Sequence, residues 1–178
     1  MSPIFLYEKV RIHLMHTKSK NLILFLDFDG VINADFHTST NTVEPLPSGN
    51  YNIASPACVK RVNAICQQFD VQIVLSTSWR FSGMDNCIAY LKEVGFTETE
   101  RIIGMTTLHP EVYNRELEIL NWLVEHDDYK GFLIFDDAPM HYLSSYQCQS
   151  DFEEGFNDSL YQRAVEILSS FSNESVVQ

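Results

Sequence analysis

Basic residues are scarce in this chain: 12 Lys and Arg stand against 24 Asp and Glu over 178 residues, a formal net charge of −12. Proteins that grip nucleic acid along its backbone gain affinity from counterion release at a lysine- and arginine-rich patch. No run of five or more Lys/Arg occurs here, which counts against extended nucleic-acid binding but leaves a single phosphorylated end open. The four cysteines, Cys58, Cys66, Cys87 and Cys148, include no C-x-x-C pair. They offer neither a disulfide frame nor a zinc site and read as free thiols in a reducing, cytoplasmic compartment. No G-x-x-x-x-G-K-[ST] is present, which removes the P-loop kinases and GTPases. Long apolar runs are missing too. The opening MSPIFLYEKVRIHLMHTKSK mixes apolar with charged side chains, so neither a membrane span nor a secretion signal is expected. What is present, 45% hydrophobic and 12% aromatic residues, suits one packed domain that buries roughly 70% of its unfolded surface. The sequence is silent on oligomeric state.

The most informative stretch is Leu22–Asn33, LILFLDFDGVIN. Five apolar residues run into Asp27-Phe28-Asp29-Gly30, so a buried strand ends by releasing two carboxylates two residues apart. Ionised carboxylates at the end of a core strand pay for desolvation unless a cation or hydrogen bonds compensate, and a pair of them suggests a bound metal. Gly30 lets the backbone turn tightly away from that point. The alternative is that both acids merely solvate a turn. It weakens when the rest of the chain is read.

Residues 3–16 carry Ile4, Phe5, Leu6, Val10, Ile12, Leu14 and Met15, which fit either an extra strand or a short helix, so 1–21 is taken as an extension packed on the domain. His13 and His16 have ligand-like spacing but read as surface or packing residues. Beyond Gly30, the polar segment 34–55 holds Pro45, Pro47, Gly49 and Asn50 and leaves directly from the D-x-D edge, the position of a flap or lid. Ser55-Pro56 opens a helix with Val59, Val62, Ile65 and Phe69 on one face. A second strand, Val71–Leu75, delivers Ser76 and Thr77, hydroxyls suited to a phosphate oxygen, with Thr77 preferred. Trp79 and Arg80 follow, either packing and pairing or touching substrate. Met84–Val94 reads as a helix, Arg101–Gly104 as a third strand, and Pro110-Glu111 as the start of a helix that turns Leu117, Leu120 and Leu123 inward. Arg115 sits in its first turns, where a cation opposes the helix dipole and wants an anion nearby; Glu111, Glu116 and Glu118 are the ordinary partners. A last strong strand, Gly131–Phe135, delivers the adjacent acids Asp136 and Asp137. His141 follows and reads as a loop residue. The turn at 151–155 leads to a helix at 160–168, the domain closes at 170, and 171–178 read as a flexible tail within the frayed stretch SSFSNESVVQ.

Strands alternating with helices argue for an α/β domain with a mainly parallel sheet, in which sites lie beyond the carboxyl ends of the strands. Asp27, Asp29, Thr77 and Asp136 all fall at such ends. The pattern hhhhDxDGxh at 22–31, the Thr after the second strand, the cation at 115 and the late acidic pair together resemble, in order, the four motifs of the haloacid dehalogenase-like (HAD) superfamily of phosphohydrolases. At finer grain, STSWR at 76–80, R-x-x-E-I-x-x-W-L from Arg115 and the D-x-x-x-G-F segment at 151–156 resemble the small capless HAD domains of Swiss-army-knife RNA-repair proteins. Ala138 departs from that pattern, in which a third acid often follows the pair. The resemblance implies a single Rossmann-like three-layer domain over 22–170 without a large cap. It also implies a Mg²⁺-dependent phosphomonoester hydrolase acting through an aspartyl-phosphate, on a small ester or a nucleic-acid end. It assigns Asp27 as nucleophile, Asp29 as general acid/base, Thr77 and Ser76 with Arg115 as phosphate ligands, and Asp27, Asp29 (by its carbonyl), Asp136 and Asp137 as the metal site. A receiver-type signalling domain would carry its adjacent acids first and its phosphoacceptor mid-chain, the reverse of this order. An idle metal-binding domain, or a phosphotransferase on the same scaffold, would share the same residues.

Overall fold

The computed structural model describes residues 2–34, 46, 47, 49, 53–107 and 114–173. The expected lid over 34–55 lies largely outside these described residues. Within them, apolar stretches form a five-stranded sheet, every neighbouring pair parallel: β1 (Leu22–Leu26), β2 (Gln72–Leu75), β3 (Ile102–Met105), β4 (Gly131–Asp136) and β5 (Gln147–Gln149), in the spatial order β3-β2-β1-β4-β5. This is the α/β, Rossmann-like architecture that the strand–helix alternation predicts. The order reverses at β1, whose neighbours β2 and β4 lead the chain outward in opposite directions, so the carboxyl ends of β1 and β4 form the topological switch point at which open α/β sheets place their sites.

Alternation along β1 builds two cores. Leu22, Leu24 and Leu26 face a layer made by α2 (Pro56–Phe69), α3 (Met84–Glu93) and α5 (Asp158–Asn173), while Ile23 and Phe25 face α4 (Arg115–Glu125) and α1 (Pro3–His16). Because both faces are covered, every residue of β1 and β4 is buried, which is why these strands read as unbroken apolar runs. All four cysteines are buried and free. No helix among the described residues is long and apolar enough to cross a membrane.

The ambiguous segment at 3–16 is a helix, with Leu6 and Val10 buried against α4. The helix expected from Pro110 is described only from Arg115, capped by the Asn114 side chain, which accepts the Leu117 N–H at 3.0 Å; residues 108–113 lie outside the described set. Of the expected loose tail, 171–173 are helical, and 174–178 lie outside the described residues. Helix α5 runs on to Asn173, and Gly131 leaves room for the Phe171 ring: a Cβ on that glycine would stand 2.3 Å from it. An aromatic seated on a core strand holds the last turns in place.

Candidate active site

Asp27 leaves β1 with its backbone tied to the neighbouring strand end, its N–H donating to the Phe135 carbonyl at 2.9 Å. The carboxylate is 4% exposed, and its Oδ1 accepts the Phe28 N–H at 2.7 Å. Its Oδ2 stands 3.5 Å from Arg115 Nη2, and the Thr77 hydroxyl is a further hydrogen-bond partner. Burial nevertheless raises the Asp27 carboxyl to about 6, with Arg115 and Thr77 pulling against it. Desolvation wins because one guanidinium must serve several acids.

The other acids come from the end of β4. Asp136 is fully buried; its Oδ1 accepts the Ala138 N–H at 2.9 Å, and its Oδ2 lies 3.4 Å from Arg115 Nη1. Burial and the nearby Asp27 push it up to about 8. Asp137, half-buried, is raised as well, first by burial. It reaches the cluster because residue 30 is glycine: at φ +71°, a Cβ there would meet Asp137 Cβ at 2.8 Å. Oxygens of Asp27, Asp136 and Asp137 all lie within 4.8 Å of one another.

The donor set fits a hard divalent cation. All three ligands are carboxylate oxygens, the choice of Mg²⁺ or Ca²⁺ rather than of softer metals. Asp136 Oδ2 is buried with no hydrogen-bond donor. Three carboxylates face one guanidinium, so the ionised cluster carries excess negative charge in a low-dielectric setting that a cation would relieve.

Thr77 is buried at the C-terminal end of β2, where its hydroxyl accepts the Trp79 N–H at 3.3 Å as it caps a short turn at 78–82. Ser76 is buried as well, but its hydroxyl accepts from Thr106 at 3.5 Å, a contact between the ends of β2 and β3. The structure thus separates the two candidates, with Thr77 on Asp27 and Ser76 on the neighbouring strand end. Arg115, at the first position of α4, bridges Asp27 and Asp136, and Glu118 is also within reach, 4.0 Å from Nε.

Asp29 stands outside the three-carboxylate cluster. Its Oδ2 accepts the Trp79 indole N–H and its Oδ1 the Asn33 amide, both at 2.9 Å. Trp79 therefore does more than pack. Arg80 is a structural partner: it is buried, pairs with buried Glu118 and donates to the Thr77 carbonyl at 2.9 Å. His141 is exposed and lies against Tyr142. His13 and His16 each bond a different backbone carbonyl, Tyr129 and Ile12, and form no ligand pair.

Sequence reasoning missed Asn33, Tyr90 and Gln147. Gln147 on β5 is buried; it donates to the carbonyls of Asp136 and Ala138 and accepts the Met140 N–H, so it shapes the loop that presents both late acids. A polar amide inside a three-residue strand is a weak sequence signal. Asn33, four residues past Asp29, lay in plain view of the D-x-D motif.

A family model, the HAD domain in Swiss Army Knife RNA repair proteins, matches residues 23–160. No curated protein and no solved structure matches the chain.

Proposed function

The chain belongs to the family of HAD domains found in Swiss Army Knife RNA repair proteins, and from that premise we propose that it is a Mg²⁺-dependent phosphomonoester hydrolase working through an aspartyl-phosphate on Asp27. Family membership itself points to phosphohydrolase-type activity. The observation that carries the finer reading is the convergence of Asp27, Asp136 and Asp137 within 4.8 Å beside Arg115 at the ends of two adjacent strands.

In this reading an Asp27 oxygen attacks phosphorus. The bond from phosphorus to the ester oxygen breaks, and that oxygen leaves with the electron pair and takes a proton from Asp29. Water then attacks the phosphoryl group and gives its proton to Asp29; the bond to Asp27 breaks and orthophosphate departs. Arg115 holds charge on the transferring group and on the nucleophile, and Thr77 with nearby backbone N–H groups holds its oxygens. Asp27, Asp136, Asp137 and the Asp29 carbonyl would hold Mg²⁺, which when bound would supply positive charge against the mutual repulsion of a carboxylate and a phosphate dianion.

The substrate class consistent with this site is a phosphate on a small ester or a nucleotide end. Net charge of −12 weighs against an extended polyanion. Phe81, 74% exposed on the turn that follows Thr77, is an aromatic surface on which a base could stack, in keeping with an end that carries one.

The test is phosphate release from an aryl phosphate and from 3′- and 5′-phosphorylated oligonucleotides, with and without a chelator. Dependence on the metal and a loss of at least about 10³-fold in Asp27→Asn are expected. A protein that binds Mg²⁺ yet turns over none of these would instead be an idle metal-binding domain.

A further inference from the structure

Both oxygens of the Asp29 carboxylate are held by neutral side-chain N–H donors, whereas the Asp27 carboxylate faces Arg115 and the Thr77 hydroxyl. The two donors on Asp29 act one per oxygen: Trp79 Nε1 on Oδ2 and Asn33 Nδ2 on Oδ1, both at 2.9 Å. Neither donor is loose. Asn33 is fully buried, its N–H donates to the Phe28 carbonyl at 2.8 Å, and its carbonyl accepts the Gly30 N–H at 2.9 Å. Its amide oxygen in turn accepts the hydroxyl of Tyr90, itself fully buried on α3. The Tyr90 ring lies 4.4 Å from that of Trp79 at 32°, and Phe28 packs against both rings at 5.8 and 5.9 Å.

We propose that Trp79 and Asn33 form a two-donor clamp, braced by Tyr90, that positions the Asp29 carboxylate for proton transfer. Trp79, Asn33 and Tyr90 are positioning residues, since they act through Asp29. This inference rests on the reading of Asp29 as the acid and base of the reaction. A carboxylate that merely solvates a turn does not need a buried amide and a buried phenol committed to its orientation, because burying such groups costs free energy unless each is hydrogen-bonded. With one donor on each, the carboxylate oxygens are not saturated, because each can accept twice. One lone pair per oxygen is left to take a proton while the plane of the group stays fixed. Proton transfer requires heavy atoms within about 2.6–3.2 Å, so holding that plane is the service the clamp provides.

Two measurements test it. The chain has only two tryptophans, and Trp122 lies on α4 in the other core, so the two indole N–H signals in a ¹⁵N–¹H spectrum are assigned by Trp79→Phe alone. Asp29→Asn is expected to move the Trp79 indole signal and leave that of Trp122 in place; an unmoved Trp79 signal overturns the clamp whatever the activity. In steady-state kinetics, Trp79→Phe, which keeps a ring in the stack but deletes the donor, is expected to lower kcat about 10-fold with KM changed less than about twofold. Tyr90→Phe, which removes only one oxygen, is expected to act in the same direction, so a folding defect at position 79 does not decide the matter. In the Asp29→Asn background, Trp79→Phe should lower kcat by less than about twofold further, since the clamp has lost its client. Wild-type kcat in both single variants, or fully additive losses, overturns the positioning role while Asp27→Asn remains dead. Turnover that survives in Asp27→Asn overturns the hydrolase reading itself.

Discussion

At the scale of single residues, the cluster depends on one cation and one missing side chain. Arg115 faces Asp27 and Asp136 with different nitrogens, at 3.5 and 3.4 Å. A lysine presents a single ammonium and cannot span both acids in that way. Arg115→Lys is therefore expected to lower kcat/KM for phosphate release by about 10²-fold, and Arg115→Ala by more, as removal of a donor aimed at developing charge does elsewhere. A rate within about threefold of wild type for Arg115→Lys would show that a point charge suffices there. Gly30 is the second dependence. Any Cβ must occupy the space taken by Asp137 and must do so at φ +71°. Gly30→Ala is expected to weaken Mg²⁺ binding at least about 10-fold by calorimetry, since the strand-end turn or Asp137 must give way. Unchanged affinity would mean that Asp137 is dispensable. Both residues stood out in the sequence, Arg115 for its place against the helix dipole and Gly30 for following D-x-D. Tyr90 did not, because its bond to Asn33 exists only when a loop and a helix 57 positions apart are brought together.

At the scale of elements, strands β1 to β4 were the most legible part, the three-residue β5 was not read as a strand, and the ends of the chain were the least legible. Strands β1 and β4 are buried on both faces and carry no polar interruption, so composition alone marks them. Segment 3–16 carries apolar residues all round rather than on one stripe, with Ile4, Phe5, Ile12 and Met15 outward and Leu6 and Val10 inward. Without a clear period of 3.6 or 2, strand and helix stay undecided. Helix α5 outran expectation because the serine-rich stretch 169–172 has low helix propensity, and the Phe171–Gly131 contact that offsets it is long-range. This contact carries a prediction. Gly131→Ala sets a methyl into the Phe171 ring and is expected to destabilise the fold by about 1–3 kcal/mol in urea titration, the usual range for overpacking. Phe171→Ala in the same background should recover part of that loss by opening the space. A second structural prediction concerns Arg80 and Glu118, a buried pair that joins the turn after β2 to α4. Arg80→Met leaves the buried Glu118 carboxylate with the longer Arg115 contact at 4.0 Å and is expected to cost about 3 kcal/mol, the low end for a broken buried pair.

At the scale of the whole molecule, the proposed metal site predicts that stability answers to pH and to a bound cation together. Burial raises Asp27 from its ordinary value of 3.8 to about 6 and Asp136 to about 8. Below pH ~4 both states of the chain hold these protons, and the two acids then contribute nothing to the difference. Between that point and the raised values the native state binds more protons than the unfolded chain. Stability therefore falls as pH rises through this window and levels off above about 8. A bound divalent cation reverses the sign, because it takes the ionised acids and expels their protons, so its stabilisation grows with pH over the same range. Thermal melts of the metal-free protein from pH 5 to pH 8 should thus show a falling Tm, and melts with saturating Mg²⁺ a Tm difference that widens over those steps. Self-repulsion in a chain of net charge −12 also lowers Tm as pH rises, and Asp136→Asn separates the two causes. The variant keeps the surface charge but loses the buried acid, so its metal-free slope should flatten and its Mg²⁺ response shrink together. If the slope persists unchanged in Asp136→Asn, the surface rather than the cluster governs the pH response. The cluster would then not be where this fold stores its electrostatic free energy.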